Sequence, residues 1–436
     1  MKNYRILIAI SLPALMLLAI YMMFSTAKQK ELKLYELEQS AEQYIADGLY
    51  EKAAGTFSEM IEIKDDIQYY LRAIEMYYDA DKNQQSIAWA EHAKEAFPNS
   101  PEGYEWLVKL YSEDGHIDRA YEIVDEFDGH KLQSSQMSEY KERLKATYFS
   151  DYTNCTNVSS FSGGFIGLEK NGLWGLGNAK GKVVVKPCYS YVGYCSNAII
   201  PVRDIDGTWY FMNSEGELFS NISANIQGNI LDVGLYNNEL FPVNVDGEYS
   251  YYTIDYEIKN SGFDYAGSYS GGVAAVMKNG KWSLLNIEGE AITQEQFDNI
   301  VLDERGVCCI KGVIIARIGE LYYLYDNTGN LRSKNGYEEA KCAGLDGVIP
   351  IKEDGLWGFV NDNGEIIIEP QFLDAQTFSN GFAAVKNTLN WGYIDIDNNV
   401  VIDFQFSECT DFSSSGSAFA KSGDEWSVLR LYRMNH

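Results

Sequence analysis

The spacing of apolar side chains changes twice along the chain, and the two changes divide it into three parts. Residues 6–24 form a run of 19 uncharged, mostly apolar residues. From 31 to 150 the apolar residues recur every three or four positions, whereas from 151 to 436 they alternate with polar ones. The first spacing is typical of amphipathic helices and the second of strands with one buried face. We therefore predict a multidomain protein of the α + all-β class, with boundaries after residues 30 and 150.

The apolar run at 6–24 is a candidate membrane segment. As a helix it would be about 28 Å long, close to the hydrocarbon thickness of a bilayer. This length favours a retained single-pass anchor, because the apolar region of a cleaved signal peptide has about 7–15 residues. Cleavage is the alternative, with Ser25, Thr26 and Ala27 as the site. Both interpretations send the rest of the chain across the membrane. We predict a single-pass protein of the cell membrane with its bulk extracytoplasmic, although basic residues on both flanks leave the orientation open.

The helical part contains three copies of one pattern, which begin near residues 34, 67 and 101. Each copy has a small residue at the same place, which would let two helices approach closely: Ala53, Ser86 and Ala120. The spacing, together with Gly48 and Gly115 at the turns, resembles the tetratricopeptide repeat, a helix–turn–helix unit of about 34 residues. The resemblance implies a solenoid whose concave face binds a peptide or a partner protein. A spacer that holds the next domain away from the membrane is the alternative.

Two parts of the helical segment depart from the repeat. The second copy has Asp81 where the other copies have a turn glycine. The stretch 131–150 follows the third copy, with Ser135 as a possible cap before an amphipathic run. We expect a terminal capping helix there, because the end of a solenoid otherwise leaves apolar surface in water.

The strand-rich part repeats one element about eight times: an aromatic residue followed seven positions later by a turn residue. The aromatic anchors are Trp174, Trp209, Tyr249, Trp282, Tyr322, Trp357, Trp391 and Trp426, separated by 33 to 40 residues. A fixed period of this size indicates one supersecondary unit copied along the chain. We expect the six tryptophans to be structural anchors that cover apolar area between successive units, rather than a platform for a ligand. The glycine that often follows would permit close approach of two backbones.

The clearest unit, 355–386, predicts three strands, at 356–361, 365–369 and 381–386. The Asn363–Gly364 pair is typical of a hairpin between the first two strands. Pro370 ends the second strand because it cannot donate a ladder hydrogen bond. A Phe-Ser-x-Gly turn that begins at Phe378 then leads into the third strand.

These residues resemble the WG-repeat family of bacterial proteins over about 158–436. The units of that family combine a Trp-Gly strand, a Val-Ile-x-Pro-x-Phe strand and a Phe-x-x-Gly-x-Ala-x-Val strand. The family has no single assigned activity, so the resemblance implies an architecture. The region opens with a third-strand segment at 161–169 and ends with a first-strand segment at 426–430, and such a split unit could close a ring. We favour a propeller-like closed array, with an open β-spiral as the alternative.

Charge and thiols restrict the function. The net charge of −28 makes binding to nucleic-acid phosphates unfavourable. The seven cysteines contain no Cys-x-x-Cys pair, and the four histidines have no zinc-type spacing. Buried free thiols are the favoured interpretation, and a Cys188–Cys195 disulfide is the alternative.

No segment carries a phosphate-loop, nucleophile-elbow or zinc-protease motif. We therefore predict no catalytic, cofactor-binding or metal-binding residues and no cofactor. The favoured function is a non-enzymatic, membrane-tethered scaffold that binds a protein or an envelope polymer through its helical and β repeats. The alternative is an extracytoplasmic carbohydrate-active hydrolase or a sensor domain. A funnel with facing carboxylates of perturbed pKa would favour the enzyme, and a wide face with exposed aromatic residues would favour binding.

Overall fold

The computed structural model describes residues 27–294 and 296–432, which form two compact units that divide between Lys145 and Ala146. The predicted membrane run at 6–24 lies outside these residues. Within the described ranges no helix is both long enough and apolar enough to span a bilayer.

The first unit consists of helices connected by short turns. The helices cover 27–46, Tyr50–Ile63, Ile67–Asp79, Asn83–Ala96, Glu102–Glu113, Ile117–Gly129 and Ser135–Lys145. The first six form three successive pairs, in agreement with the three predicted copies. The small residues Ala53, Ser86 and Ala120 are fully buried where the helices meet.

The turns within the pairs require left-handed backbone. Gly48 and Gly115 adopt φ of 70° and 77°, and Asp81 adopts φ of 57° at the equivalent turn of the second copy. Asp is one of the few residues with a side chain that tolerate this region. The last helix is capped by Ser134, whose hydroxyl accepts hydrogen bonds from the backbone N–H groups of Gln136 and Met137. Ser135, the predicted cap, is the first residue of the helix instead.

The second unit is an eight-bladed β-propeller, because its strands form eight antiparallel sheets in chain order. The strands of blades 1–3, from the channel outward, are Asn157–Val158, Phe165–Lys170, Leu173–Asn178, Val183–Tyr189; Tyr191–Val192, Ile199–Arg203, Trp209–Asn213, Leu218–Asn221; and Ile230–Val233, Leu240–Val245, Glu248–Thr253, Ile258–Phe263. Blades 4 and 5 have three regular strands each, Tyr265–Ala266, Ala274–Lys278, Lys281–Leu285 and Asn299–Ile300, Val313–Ile318, Leu321–Asp326. Blades 6 and 7 are Glu339–Ala340, Ile349–Glu353, Leu356–Val360, Ile366–Phe372 and Asp374–Ala375, Phe382–Lys386, Trp391–Asp395, Val400–Phe406. A short helix, Ile222–Asn225, follows blade 2.

Blade 8 closes the ring with strands from both ends of the unit. Glu408–Cys409, Ser417–Ser422 and Glu425–Leu431 are joined by Tyr148–Tyr152, which pairs antiparallel with the last of them as the outer strand. This arrangement confirms the favoured closed, propeller-like array over the open β-spiral. It corrects one prediction, because residues 148–152 form a strand of the propeller and not the end of the capping helix. The predicted three-strand unit also lacked the two-residue inner strands.

Each interface between neighbouring blades contains one anchor aromatic residue. Trp357 of blade 6 shares an apolar cluster with Ala383 and Val385 of blade 7. Trp426 of blade 8 shares one with Ile166 and Leu168 of blade 1, so the closing interface is built like the others. The same kind of cluster surrounds Trp174, Trp209, Tyr249, Trp282, Tyr322 and Trp391.

The turns between the third and outer strands interlock with the preceding blade. We call them the rim turns, and their key residues, all at φ between 66° and 87°, are Gly181, Gly216, Tyr256, Gly289, Gly329, Gly364 and Asn398. A Cβ on Gly181 would lie 3.0 Å from a Val428 methyl of blade 8, and one on Gly216 would overlap a Val185 methyl of blade 1. Where Gly is replaced by Tyr256, the phenol hydroxyl hydrogen-bonds with Ser220 of blade 2 at 2.6 Å. The turn residue therefore sets how closely successive blades approach.

The glycine after the anchor tryptophan lies against the outer strand of its own blade. A Cβ on Gly358 would lie 2.6 Å from the Ile368 carbonyl oxygen, and one on Gly392 would lie 2.7 Å from that of Ile402. Both positions coincide with a register shift in the pairing with the outer strand. The glycine thus makes room for a β-bulge.

Candidate functional site

The six predicted tryptophans lie at blade interfaces. Trp209, Trp357, Trp391 and Trp426 are buried, and Trp174 and Trp282 are half-buried. Their rings belong to the clusters described above, and none of the six contributes to the cavity described next.

A cavity of about 450 Å³ lies at one end of the propeller channel. It is formed by loops that connect the inner to the second strand of each blade, which we call the mouth loops: 159–164, 193–198, 234–239, 267–273, 301–312, 341–348, 376–381 and 410–416. The loops of blades 1, 5, 6, 7 and 8 line it. The mouth loops and the rim turns lie at the same end of the propeller. In each blade they are separated by the second and third strands, which run in opposite directions and so return the chain to the end from which it came.

Hydrogen bonds between neighbouring blades hold several mouth loops in place. The Ser162 hydroxyl donates to the Cys195 carbonyl at 2.7 Å, and the Asn237 amide donates to the Tyr269 carbonyl at 3.1 Å. The Ser379 hydroxyl donates in the same way to the Phe412 carbonyl. In each case the donor directly follows an aromatic residue, Phe161, Tyr236 or Phe378, so this position of the turn fixes one loop against the next.

Asp411 precedes Phe412 and is one of the carboxylates that line the cavity. Its Oδ1 accepts a 3.0 Å hydrogen bond from the Thr377 backbone N–H, and its Oδ2 accepts one from the Thr377 hydroxyl. Burial raises the pKa of the Asp411 carboxyl to about 6, against the opposing effects of the Thr377 hydrogen bonds and of the Lys341 charge. Most of the side chain is enclosed by protein, and its remaining surface opens into the cavity.

The blade 5 loop, 301–312, has twice the length of 159–164 and reaches across the mouth. Glu304, exposed near its tip, accepts hydrogen bonds from the Ser160 hydroxyl of blade 1 at 2.6 Å and from the Tyr194 hydroxyl of blade 2 at 3.1 Å. Burial, followed by the nearby Glu304 charge, raises the pKa of Tyr194 well above its ordinary value, so its phenol remains a donor. The loop is braced by the Gly306 carbonyl, which accepts from the Ser268 N–H at 2.7 Å.

Both cationic side chains of the cavity are paired within the protein. The Lys341 ammonium lies 2.8 Å from Asp374 and also donates to the Ala375 carbonyl. The Arg305 guanidinium lies 2.7 Å from Asp303. Among the described residues, neither Asp411 nor Glu304 forms an ion pair.

All seven cysteines are free, so the Cys188–Cys195 disulfide does not form in this structure. Cys188 is exposed and Cys155 is half-buried, whereas the other five are buried. Cys342 lines the cavity, where burial raises its pKa well above the ordinary value. Cys342 is therefore a neutral thiol and a poor nucleophile.

Sequence reasoning did not identify Asp411, Glu304, Thr377 or Lys341. Two signals were present in the repeat. The interval from Trp282 to Tyr322 is 40 residues, and much of the excess lies in the loop that carries Glu304. Asp411 and Thr377 occupy the same place, immediately before the aromatic residue of the Phe-Ser-x-Gly turn, in two neighbouring copies.

These features define the second unit as a propeller built from Trp-Gly strand units. The WG containing repeat matches this unit at four places, residues 174–209, 262–282, 357–388 and 391–426. All six predicted anchor tryptophans are at the ends of these matches.

Among solved structures, the chain is similar to BamB from Moraxella catarrhalis, at 12% identity and a TM-score of 0.41, over 66% of this chain and 98% of that one. It is similar to the C-terminal WD40 domain of Sif2, at 9% identity and a TM-score of 0.41, over 66% and 97%. It is also similar to Kluyveromyces lactis Hsv2, at 8% identity and a TM-score of 0.37, over 61% and 92%. These distant likenesses carry no information on function. No curated protein matches the chain.

Proposed function

We propose that the protein is a non-enzymatic interaction protein and that the mouth of the propeller channel is the place where it binds its partner. The observation that carries this proposal is the cavity of about 450 Å³ to which five mouth loops contribute. Loops positioned by a rigid scaffold are the usual place for binding residues, and a concave site of this size can enclose a side chain or a small polar group.

The mouth loops are ordered before a partner arrives. Their hydrogen bonds to neighbouring blades, such as that from Ser162 to Cys195, are made within the protein itself. Binding to a preformed surface avoids the entropy cost of ordering loops. This rigidity supports recognition of a partner by a fixed site.

A hydrolase that uses the same cavity is the second candidate. Asp411, with a pKa of about 6, has the property expected of a general acid that works near neutral pH. Glu304 is a second carboxylate at the same mouth, but it already accepts hydrogen bonds from Ser160 and Tyr194. The paired cations and the engaged Glu304 make binding the better supported of the two functions. Release of reducing sugar from envelope glycans by the full chain, abolished by Asp411→Asn, would favour the hydrolase.

We further propose that residues 6–24 tether the chain to the cell membrane with its bulk extracytoplasmic, and that the helical unit contributes a second binding surface for a protein or envelope polymer. The apolar run supports the tether, and the three helix pairs support the second surface. Protease added to intact cells should degrade both units if the orientation is correct.

A photocrosslinking amino acid placed at two exposed leucines tests the binding face. Leu345 lines the cavity and is 45% exposed, whereas Leu389, which is 79% exposed, lies in a hairpin at the opposite end of the propeller. In native membranes, we expect one discrete partner to be captured from position 345 and not from position 389. Capture of the same species from both positions, or from position 389 alone, would contradict the assignment of the face.

A further inference from the structure

We propose that the cavity accepts a basic side chain of the partner, lysine or arginine, with the Asp411 carboxylate as its counter-charge. This inference rests on the proposed function, because it specifies what the mouth of the channel recognises. It concerns one chemical class of ligand, a cationic group on a flexible alkyl stem.

The cavity has an excess of negative charge that no cation of the described residues compensates. Lys341 and Arg305 are compensated by Asp374 and Asp303, at 2.8 Å and 2.7 Å. The remaining charges, Asp411 and Glu304, are both negative, and neither forms an ion pair among the described residues. A largely enclosed carboxylate without an ion-pair partner is costly to ionise, and a cation from a partner would reduce that cost.

The hydrogen bonding of Asp411 leaves room for such a cation. A carboxylate has about four acceptor positions. Thr377 uses two of them, one on each oxygen. The part of Asp411 that remains accessible opens into the cavity, so the remaining positions can accept N–H groups of an ammonium or a guanidinium.

The walls of the cavity suit the rest of a long basic side chain. Phe161, Leu302 and Phe412 line it beside the polar groups. Lysine and arginine bury their methylene stems against apolar surface while the charged head reaches a polar group. Glu304, exposed at the mouth, adds to the negative potential that a basic side chain meets on entry. An anionic group would be repelled by the same negative potential.

Binding of capped amino acids to the full-length chain tests the inference. N-acetyl-lysine amide and N-acetyl-arginine amide are titrated by NMR or calorimetry at pH 7.5, with N-acetyl-norleucine amide as the probe that retains the stem and lacks the charge. We expect saturable binding of the two basic probes and at least about tenfold weaker binding in Asp411→Asn, since the loss of one partner of an enclosed charge pair is large. Equal binding of norleucine would overturn the proposal.

Asp397→Asn is the matched control. Asp397 is an exposed acid in a rim turn at the same end of the propeller, and its substitution changes the net charge by the same amount. We expect it to leave binding within about twofold of wild type, because exposed charges are screened. If Asp397→Asn weakened binding as much as Asp411→Asn, the attraction would be a property of the acidic surface and the proposal would fail.

The pH dependence gives an independent readout. Lys341 and Glu304 are the charged groups that act on Asp411 from the neighbouring loops, with opposite signs. Because the ionised carboxylate is the binding form, affinity for the lysine probe should fall as pH is lowered through about 6, and the remaining binding of Asp411→Asn should not show this fall. An affinity of wild type that stays constant from pH 7.5 to pH 5 would contradict the role of Asp411.

The two proposals fail in different ways. If position 345 captures a partner and Asp411→Asn leaves that capture unchanged, the mouth is the binding face and the basic side chain is the wrong ligand. If position 345 captures nothing while position 389 does, the binding face itself is wrong.

Discussion

Two sets of loops lie at the same end of the propeller: the rim turns near its circumference and the mouth loops around its channel. The rim turns repeat one solution, a left-handed residue that packs against the preceding blade, as Gly216 does against Val185. The mouth loops vary more: Phe-Ser-x-Gly occurs at Phe161 and Phe378, and the residue before this position of the turn changes from Ser160 to Tyr194, Thr377 and Asp411. What repeats builds the ring, and what varies at a repeated position gives the ring its chemistry.

The first prediction tests whether the repeated part is the same all around the ring. Trp426→Ala should lower the free energy of unfolding by about 3–5 kcal/mol, because it removes a buried indole and leaves a cavity at the closing interface. Urea titration of the full-length chain measures this loss. Trp357→Ala, at the interface between blades 6 and 7, is the control and should cost a similar amount. A loss below about 1 kcal/mol for Trp426→Ala alone would show that the closing interface is built differently.

The second prediction separates two reasons for glycine in a rim turn: the left-handed backbone, and the lack of space for a Cβ against the neighbouring blade. Gly216 and Gly172 have similar φ, 87° and 79°, but only at Gly216 would a Cβ meet a neighbouring side chain, the Val185 methyl. Each substitution by alanine should cost about 1–2 kcal/mol for the left-handed backbone. Gly216→Ala should cost about 1 kcal/mol more for overpacking.

Val185→Ala provides the check on this second prediction. In the Val185→Ala background the extra cost of Gly216→Ala should disappear, because the overlapping methyl is gone. If Gly216→Ala and Gly172→Ala lowered the free energy of unfolding equally in the wild-type background, blades 1 and 2 would be able to shift enough at this contact to relieve the overlap.

The third prediction concerns the variable mouth loops. Asp411 has a raised pKa, so its contribution to stability is fully present below its ordinary pKa of 3.8 and is lost as pH rises through about 6. Each pKa unit corresponds to about 1.4 kcal/mol, and partial exposure to the cavity reduces the total to on the order of 2 kcal/mol. Asp411→Asn should therefore gain stability relative to wild type by that amount between pH 4 and pH 7.5.

Urea titrations at several pH values measure this difference in the free energy of unfolding. Asp397→Asn is the control, and its difference from wild type should be the same at every pH. If the difference between Asp411→Asn and wild type were also the same at every pH, ionisation of Asp411 would not cost stability in the folded protein. A real gain would mean that the mouth loops retain a carboxylate that stability alone does not favour, as binding sites commonly do.

The difference between the two sets of loops also explains what the sequence could predict. The Trp357 strand and the Gly364 turn recur with a fixed period, so recurrence alone was enough to predict the propeller units and the structural place of the tryptophans. The inner strand Asp374–Ala375 has two residues and no period of its own. The closing strand at 148–152 follows helical sequence, and its strand character depends on pairing with residues 427–431.

The site could not be predicted for a related reason. Asp411 is one of 63 acidic residues, and its only local signal is its position immediately before the aromatic residue of a repeated turn. Its neighbours Thr377, Lys341 and Glu304 come from three other blades. Only the closed ring brings these four residues together, so their proximity could not be predicted from any one segment of the sequence.

Ring closure by strand 148–152 also sets an order of events during synthesis. This strand leaves the ribosome before any blade exists, and its partner, Glu425–Leu431, leaves after all the others. Pairings between such distant segments form slowly. Asp411 lies in the mouth loop of blade 8, which this pairing completes, and Ser160 lies in that of the neighbouring blade 1. A nascent or truncated chain therefore cannot present a complete cavity before the last blade has been translated.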